Sequence, residues 1–492
     1  MYLEQLGIYG WNERDEHLLL ASLLTGDPLL LIGNHGCAKT HLGNKIAQAL
    51  GRKYLVYDAS KAMFEDVLGY PNTARLQEGV MEYVPSPVTL WDKELILIDE
   101  LNRAVPELQS KWLEIIRSRR IMGFPTQVKW VWAAMNPRSY SATNALDEAL
   151  VGRFATFLYP PDVLKMDEAD RVRVLTHING DDAPSLAQWC DPGEAAGTVL
   201  PEQVEAAGHS MAALLRRAAR RFLQLRSQLE TLPRFLARFA ALLARESGGK
   251  LALDGRRLGF LYRNLLARRA IELCALETAG TRPIPFRESA RHTVLASIPI
   301  GLGEDGPDFE QATHTIEVCF DLLSEYFEDG ANLAVVDQIY ELLTTRDLLR
   351  KAELLLACNL GAFALAKAWN DLMNEDRDLT VLAYTALAVE TRRPGTVPPE
   401  LLESLSARIE PQRLGAGCIP KLENDAVEYL DAIEELLDQQ GDLRRLVAYN
   451  HVAELAASGN VNPRTIQETR GQIERDVEAF ERLVSGKKGA AA

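Results

Sequence analysis

Two segments of this 492-residue chain hold the residue types that phosphate chemistry needs. The first is Leu29 to Leu50, LLLIGNHGCAKTHLGNKIAQAL, where an apolar run, a glycine-bearing turn and a helical pattern follow one another. Gly33 and Gly36 let the backbone curl so that its N–H groups converge on a phosphate, at the positive end of a helix beginning near Lys39. In such a loop Lys39 reaches the β- and γ-phosphates and Thr40 offers a hydroxyl to Mg²⁺. Ala38 stands where the pattern G-x-x-x-x-G-K-[ST] has its second glycine, and an ordinary strand-to-helix turn is the competing reading of this segment alone.

The second segment is Leu95-Ile96-Leu97-Ile98 followed by Asp99 and Glu100, an apolar strand that delivers two acids at its C-terminal end. Ligands of open α/β sheets bind at that end. Asp99 is the candidate to hold Mg²⁺ through water, and Glu100 the candidate to orient and activate an attacking water. Taken alone, the pair could equally cap a helix. The acids follow the lysine by 60 residues (99 − 39), which leaves room for a helix-strand-helix passage before the chain returns to the sheet.

The elements that must position these residues are legible around them. Up to about Pro160, short apolar runs alternate with helical patterns, the signature of strands joined by crossover helices in a mainly parallel sheet. Five strands are expected: Leu29 to Ile32, Tyr54 to Tyr57, Leu95 to Ile98, Val128 to Ala134 and Ala155 to Tyr159. Beyond Pro160 and Pro161 apolar residues recur every three or four positions, as in Val204 to Glu246 and Arg256 to Glu277, which predicts helices. Glycine, proline and aspartate interrupt the pattern around Gly180 to Thr198, at Gly301 to Asp308 and at Arg392 to Pro399. The expected organisation is an α/β P-loop module over 1–160, an all-helical lid over 161–303 and a further all-helical domain over 304–492. Phe309 to Lys351, Ala352 to Val389 and Leu422 to Leu455 read there as helical hairpins.

Composition narrows the function classes. A formal charge of -15 argues against a surface built to displace counterions from nucleic acid. The arginine-rich stretch Arg216 to Arg245 has apolar residues at helical spacing, Leu214, Leu215, Phe222, Leu223 and Leu225, and reads as a solvated face. Six scattered cysteines without C-x-x-C suggest neither zinc nor disulfides and fit a reducing cytoplasm. Cys37, inside the loop, reads as a space-filling side chain in preference to a redox switch. The acidic start of the chain is unlike a secretory signal, and the apolar run Leu354 to Trp369 is too short to span a membrane. H-E-x-x-H and G-x-S-x-G are both absent, which removes the zinc-peptidase and serine-hydrolase patterns.

With these residues in hand, the chain resembles AAA+ ATPases, and among them the MoxR family, from about Leu18 to Leu302. The likeness is strongest over Glu94 to Phe124, ELILIDELNRAVPELQSKWLEIIRSRRIMGF, which matches the Asp-Glu strand, the Asn-Arg-Ala after it, the next helix and the start of an inserted β-hairpin. MoxR loops often lack the glycine that Ala38 replaces. The resemblance implies an ATP and Mg²⁺ site built from Gly33, Asn34, His35, Gly36, Cys37, Ala38, Lys39, Thr40 and His41, with Asp99 and Glu100. It implies a sensor at Asn136, an arginine finger at Arg153 that acts on a neighbouring subunit, and a second sensor at Arg256, capped by Asp254 or Gly255 and aimed at the phosphates from the lid. Asn136 could otherwise start a turn before Pro137, Arg153 could be a surface ion pair, and Arg257 is the weaker alternative to Arg256. The family further implies a homo-hexameric ring that remodels partner proteins, often ones with a von Willebrand factor A domain. A nucleotide-dependent scaffold with little turnover and an AAA+ ATPase acting on DNA are the rival readings.

Overall fold

The computed structural model describes residues 1–61, 63–104, 106–137, 146–176, 201–279, 284–302, 308–328, 333–345, 348–357 and 362–374. Beyond these it describes 386, 389, 395, 397–400, 403, 429–440, 444, 447–448, 451–452, 455 and 459–485. The expected break at Gly180 to Thr198, and Cys190, Cys358 and Cys418, lie outside these residues. The chain packs as two compact units, Met1–Phe320 and Asp321–Ala492, so the expected division at 160 falls inside the first, and that unit runs past the expected division at 303.

Among the described residues there are nine strands: β1 (Leu29–Ile32), β2 (Tyr54–Asp58), β3 (Tyr70–Pro71), β4 (Tyr83–Val84), β5 (Leu95–Asp99), β6 (Arg120–Ile121), β7 (Phe124–Pro125), β8 (Trp130–Met135) and β9 (Thr156–Leu158). Five of them form one sheet in the order β2-β5-β8-β1-β9, with every neighbouring pair parallel. This is the expected α/β module. The strands of Leu29–Ile32 and Leu95–Ile98 are buried at every position, as strands covered on both faces must be, which is why they read as unbroken apolar runs. In parallel register Ile32 lies beside Met135 and Asp58 beside Asp99, so β1, β2, β5 and β8 all end at one edge. The remaining strands form two small hairpins, β3-β4 and β6-β7, and the second is the expected insertion. Its turn is held by the Glu114 carboxylate, which accepts the N–H groups of Met122 and Gly123 at 3.0 Å each.

Helix Glu13–Thr25 opens on Asn12, whose side chain accepts the Asp15 N–H, and closes on Gly26 in the left-handed region. Its buried face, including Leu18, Leu19 and Leu23, meets the lid helix Gly255–Ala279. The lid contributes Pro201–Gln228, Leu232–Glu246, Gly255–Ala279 and Phe286–Ser297. Val204 to Glu246, read as one stretch, is thus two helices parted at Leu229 to Thr231. Arg216, Arg217, Arg220 and Arg226 are exposed as expected, whereas Leu223, assigned to the apolar face, is 64% exposed.

Two joints tie lid to sheet. Asp27 accepts both Nη2 and Nε of Arg263, at 2.9 and 3.2 Å, and Nδ2 of Asn264 at 3.1 Å. Gly208 lies so close to the end of the helix after the loop that a Cβ there would sit 1.8 Å from the Ala49 carbonyl oxygen. In the second unit, helices Leu333–Thr344, Leu348–Ala357, Ala362–Asn374, Leu430–Leu437 and Pro463–Ser485 are described, with a core that includes Ile433, Leu436, Ile473 and Val477. Leu354 to Trp369 is shared between two of these helices. Among the described residues no helix is long and apolar enough to cross a membrane.

Candidate functional site

Beyond the edge where β1, β5 and β8 end lies a cleft of about 580 Å³. Seven of the nine expected loop residues line it: His35, Gly36, Cys37, Ala38, Lys39, Thr40 and His41. Gly33 and Asn34 stand behind them. The N–H of Gly33 donates to the Met135 carbonyl at 3.1 Å, which fastens the loop to β8, and the Asn34 side chain donates to Asp162 at 2.8 Å. A Cβ at Gly33 would lie 2.7 Å from Cys37 Sγ, so a larger residue there would force the thiol to move. The thiol donates to the Asn34 carbonyl at 2.9 Å, and burial raises its pKa although Lys39 is nearby, so it packs the turn instead of supplying a thiolate.

The helix after the loop, Lys39–Ala49, starts at Ala38 with φ +56°, the left-handed conformation usually left to glycine. This turn directs the first N–H groups of the helix at the cleft. Lys39 is buried, and its ammonium has three donors and three oxygen acceptors: the carbonyls of Gly33 at 2.7 Å and Asn34 at 2.9 Å, and Asn136 Oδ1 at 3.2 Å. Lys39 and Asn136 are 97 positions apart in sequence and meet only because β8 lies next to β1.

The acid pair arrives on β5. Thr40 Oγ1 donates to Asp99 Oδ2 at 2.5 Å, and the other carboxylate oxygen accepts the Glu100 N–H at 2.8 Å. Glu100 also holds a positive φ, +53°, and a single-turn 3₁₀ helix, Leu101–Arg103, follows it. Strain of this kind is kept where the surroundings fix it. Here Asn102, almost fully buried, donates to the Asn136 carbonyl at 2.9 Å, and Arg103 Nη1 lies 3.2 Å from Glu100 Oε2.

Sequence reasoning missed three residues that line the same cleft, Asp58, Lys61 and Arg103. Asp58 could have been found as an acid ending a strand, like Asp99. Burial opposes its ionisation, but Ser60 and Lys61 outweigh that and leave the carboxyl below its ordinary range. Arg103 sits in the Asn-Arg-Ala match, but nothing local marks it as a partner of Glu100.

Arg153 and Arg256 are elsewhere. They line a second cleft of about 810 Å³ together with Arg117, Arg119, Lys129, Arg263 and Asp27, and the two clefts share no lining residue. Arg256, expected to aim at the phosphates from the lid, does not line the loop cleft of its own chain. Asp254 does cap the lid helix, through the Arg257 N–H at 2.7 Å, but the joint of Asp27 with Arg263 sets the rotation of that helix, and Arg256 comes to lie beside Gly152. Arg257 is not an alternative: it is buried, its guanidinium spent on the carbonyls of Ser297, Phe154 and Val151. Arg117, Arg153 and Arg256 form no ion pair among the described residues. Burial lowers the pKa of Arg153, and the charges of Arg256 and Arg117 lower it further.

Residues 28–154 match the family model of the AAA domain, dynein-related subfamily. A structural protein of Acidianus two-tailed virus is 28% identical over 134 residues, 26% of this chain and 21% of that protein, so the match spans about a fifth of the relative's length. Among solved structures, an ATPase candidate from Cytophaga hutchinsonii superposes with a TM-score of 0.42 at 18% identity, covering 64% of this chain and 92% of that one. A full-length MCM homolog from Methanopyrus kandleri gives 0.36 at 13% identity, covering 67% and 58%. Residues 28–154 therefore carry an AAA domain on a P-loop α/β fold, followed by helical parts.

Proposed function

We propose that the AAA domain of residues 28–154 hydrolyses ATP with Mg²⁺ in the loop cleft, and that the chain works as an oligomeric ring in which Arg153 and Arg256 serve the nucleotide of a neighbouring copy. One observation carries the first half. Lys39 and Thr40 on the helix after β1, Asp99 and Glu100 at the end of β5 and Asn136 just past β8 meet around one cleft, with Thr40 and Asp99 2.5 Å apart.

The donor set suits the metal. Mg²⁺ takes oxygen ligands, keeps several waters and is bound through one or two carboxylates together with substrate phosphates. Thr40 and Asp99 provide a hydroxyl and a carboxylate side by side, and among the described residues no group of three His, Cys, Asp or Glu could cage a metal without phosphate help. When bound, Mg²⁺ neutralises charge on the β- and γ-phosphates. Lys39 exchanges its loop carbonyls for phosphate oxygens. Glu100 orients a water against the γ-phosphorus, whose bond to the β,γ-bridging oxygen breaks. ADP leaves with that electron pair, and the water's proton passes through Glu100 to solvent. Asn136, tied to Lys39, reports on the γ-phosphate to β8 and, through Asn102, to the turn after Glu100.

The second half rests on charge. The arginine cleft has six cationic side chains against one acid, Asp27, and none of them lines the chain's own loop cleft. Such a surplus is matched by a polyanion brought from outside, and a bound triphosphate on the next copy fits it. A ring that turns hydrolysis into movement of the lid could remodel a client protein. The client class, proteins with a von Willebrand factor A domain, is proposed on the MoxR resemblance alone.

A Mg²⁺-dependent ATPase assay tests the reading. Glu100→Gln should lower turnover about a hundred-fold or more while nucleotide still binds. An equal trace of activity in both proteins would leave a nucleotide-dependent scaffold.

A further inference from the structure

We propose that Arg103 is a γ-phosphate-dependent switch on Glu100: it holds the carboxylate while the γ-phosphate is absent and exchanges it for that phosphate when ATP is bound. The inference rests on the reading of the loop cleft as an ATP site and deepens it.

Four observations point to a residue built to change partners. Arg103 lines the same cleft as Lys39 and Thr40, so it borders the space in which that reading places a triphosphate. It holds Glu100, the candidate to activate water, through one contact, Nη1 to Oε2 at 3.2 Å. A guanidinium has five donors, and Nε of Arg103 is buried without a hydrogen-bond partner, so the present pairing leaves capacity unused. Both side chains are partly open to solvent, 30% for Arg103 and 25% for Glu100, which keeps the ion pair weak enough to exchange.

The backbone explains why the exchange has consequences. Glu100 is held at φ +53° and is joined to Arg103 through one 3₁₀ turn, closed by the Arg103 N–H on the Glu100 carbonyl at 2.8 Å. Between them Asn102 anchors the turn to the Asn136 carbonyl. The main chain is thus pinned while the Arg103 side chain is the part that can swing. While Arg103 Nη1 holds Oε2, that carboxylate oxygen is engaged and is not free to position a water. Moving Arg103 to the γ-phosphate frees Glu100 for water only when a γ-phosphate is in place. Arg103 acts through Glu100 and is a positioning residue in the reaction, with a direct contact to the nucleotide in the ATP state.

The test is equilibrium binding of fluorescent ATP and ADP analogues to the full chain with Mg²⁺, for wild type, Arg103→Met and Arg103→Lys, with turnover and thermal melting measured alongside. Arg103→Met should weaken the ATP analogue roughly ten-fold, the worth of one charge-assisted hydrogen bond, and leave the ADP analogue within about two-fold. Arg103→Lys should recover part of the loss. Equal weakening of both analogues, or no change in either with turnover lost, overturns the switch and makes Arg103 a fixed brace of the turn. A wild-type chain that binds neither analogue sinks the parent reading instead, which keeps the two failures apart.

Discussion

The two clefts of the first unit differ in how their charges are satisfied. In the loop cleft each key group already has a partner within the chain: Lys39 has carbonyls and Asn136, Thr40 has Asp99, and Glu100 has Arg103. In the arginine cleft Arg117, Arg153 and Arg256 crowd together without an ion pair among the described residues, and Arg263 and Arg119 share the one acid, Asp27. A self-satisfied site can exist in a lone chain and release its groups when a ligand competes for them. A cationic surplus is a cost to the lone chain, and it makes physical sense where a negative charge arrives from another molecule.

The largest effect expected from this contrast is on Arg153. Arg153→Ala should lower turnover by about three orders of magnitude, the low end for removal of an arginine finger, with nucleotide affinity in the loop cleft nearly unchanged. Mixing then separates the clefts. Glu100→Gln lacks the acid but keeps its arginine cleft, whereas Arg153→Ala has the reverse defect, so a mixture of the two inactive chains should regain turnover through mixed neighbours. If mixing restores nothing, Arg153 serves its own chain or merely its fold.

A second prediction concerns the brace under the loop cleft. Helix Pro201–Gln228 meets helix Lys39–Ala49 at Gly208, where an added Cβ would run into the Ala49 carbonyl. Gly208→Ala should cost about 1–3 kcal/mol, read as a lower melting temperature, because backbone must shift to admit one methyl. Little change would show that the lid is not pressed against the loop helix.

The same packing explains what the sequence could and could not disclose. The loop and the Asp-Glu strand were legible because the glycines, the lysine and the fully apolar strands carry their reasons locally: β1 falls where expected, and β5 extends one residue further, to Asp99. Asn136 follows an apolar strand, but only the resemblance singled it out, since a turn before Pro137 explains the residue equally well. The cleft that Arg256 lines was not legible, because helical periodicity says which residues share a face, not which cleft that face overlooks. The Asp27 joint to Arg263 and the buried Arg257 decide that, and both depend on contacts over more than a hundred positions of sequence. Arg103 was missed for a related reason, since its significance is a side-chain pairing across a strained turn.

Asp27 gives a smaller and pH-dependent test of the arginine cleft. Burial raises its pKa above the ordinary 3.8 even though Arg263 pulls the other way. The folded state therefore binds this proton more tightly than the unfolded one. The stability this contributes is complete below about 3.8 and is lost as pH rises through the raised value. Asp27→Asn is insensitive to that titration, so its melting temperature relative to wild type should increase from pH 4 to pH 7. A relative decrease over that window would mean that the pairing with Arg263 outweighs burial, and the arginine cleft would then be better compensated than its lining implies.

The smallest expected effect lies in the loop itself. Ala38 adopts φ +56°, which costs an L-residue about 1–2 kcal/mol, while glycine adopts it freely. Ala38→Gly removes that strain and adds back unfolded-state freedom worth about 0.4–1 kcal/mol, so the net gain in stability should lie between about 0 and 1.6 kcal/mol. Denaturant unfolding would measure it. If the loop cleft is as fully organised without ligand as its hydrogen bonds indicate, affinity for an ATP analogue should change less than about ten-fold, the equivalent of 1.4 kcal/mol. A larger change in affinity than in stability would mean that Ala38 tunes the loop toward its liganded shape, and the loop cleft would then resemble the arginine cleft in waiting for its partner.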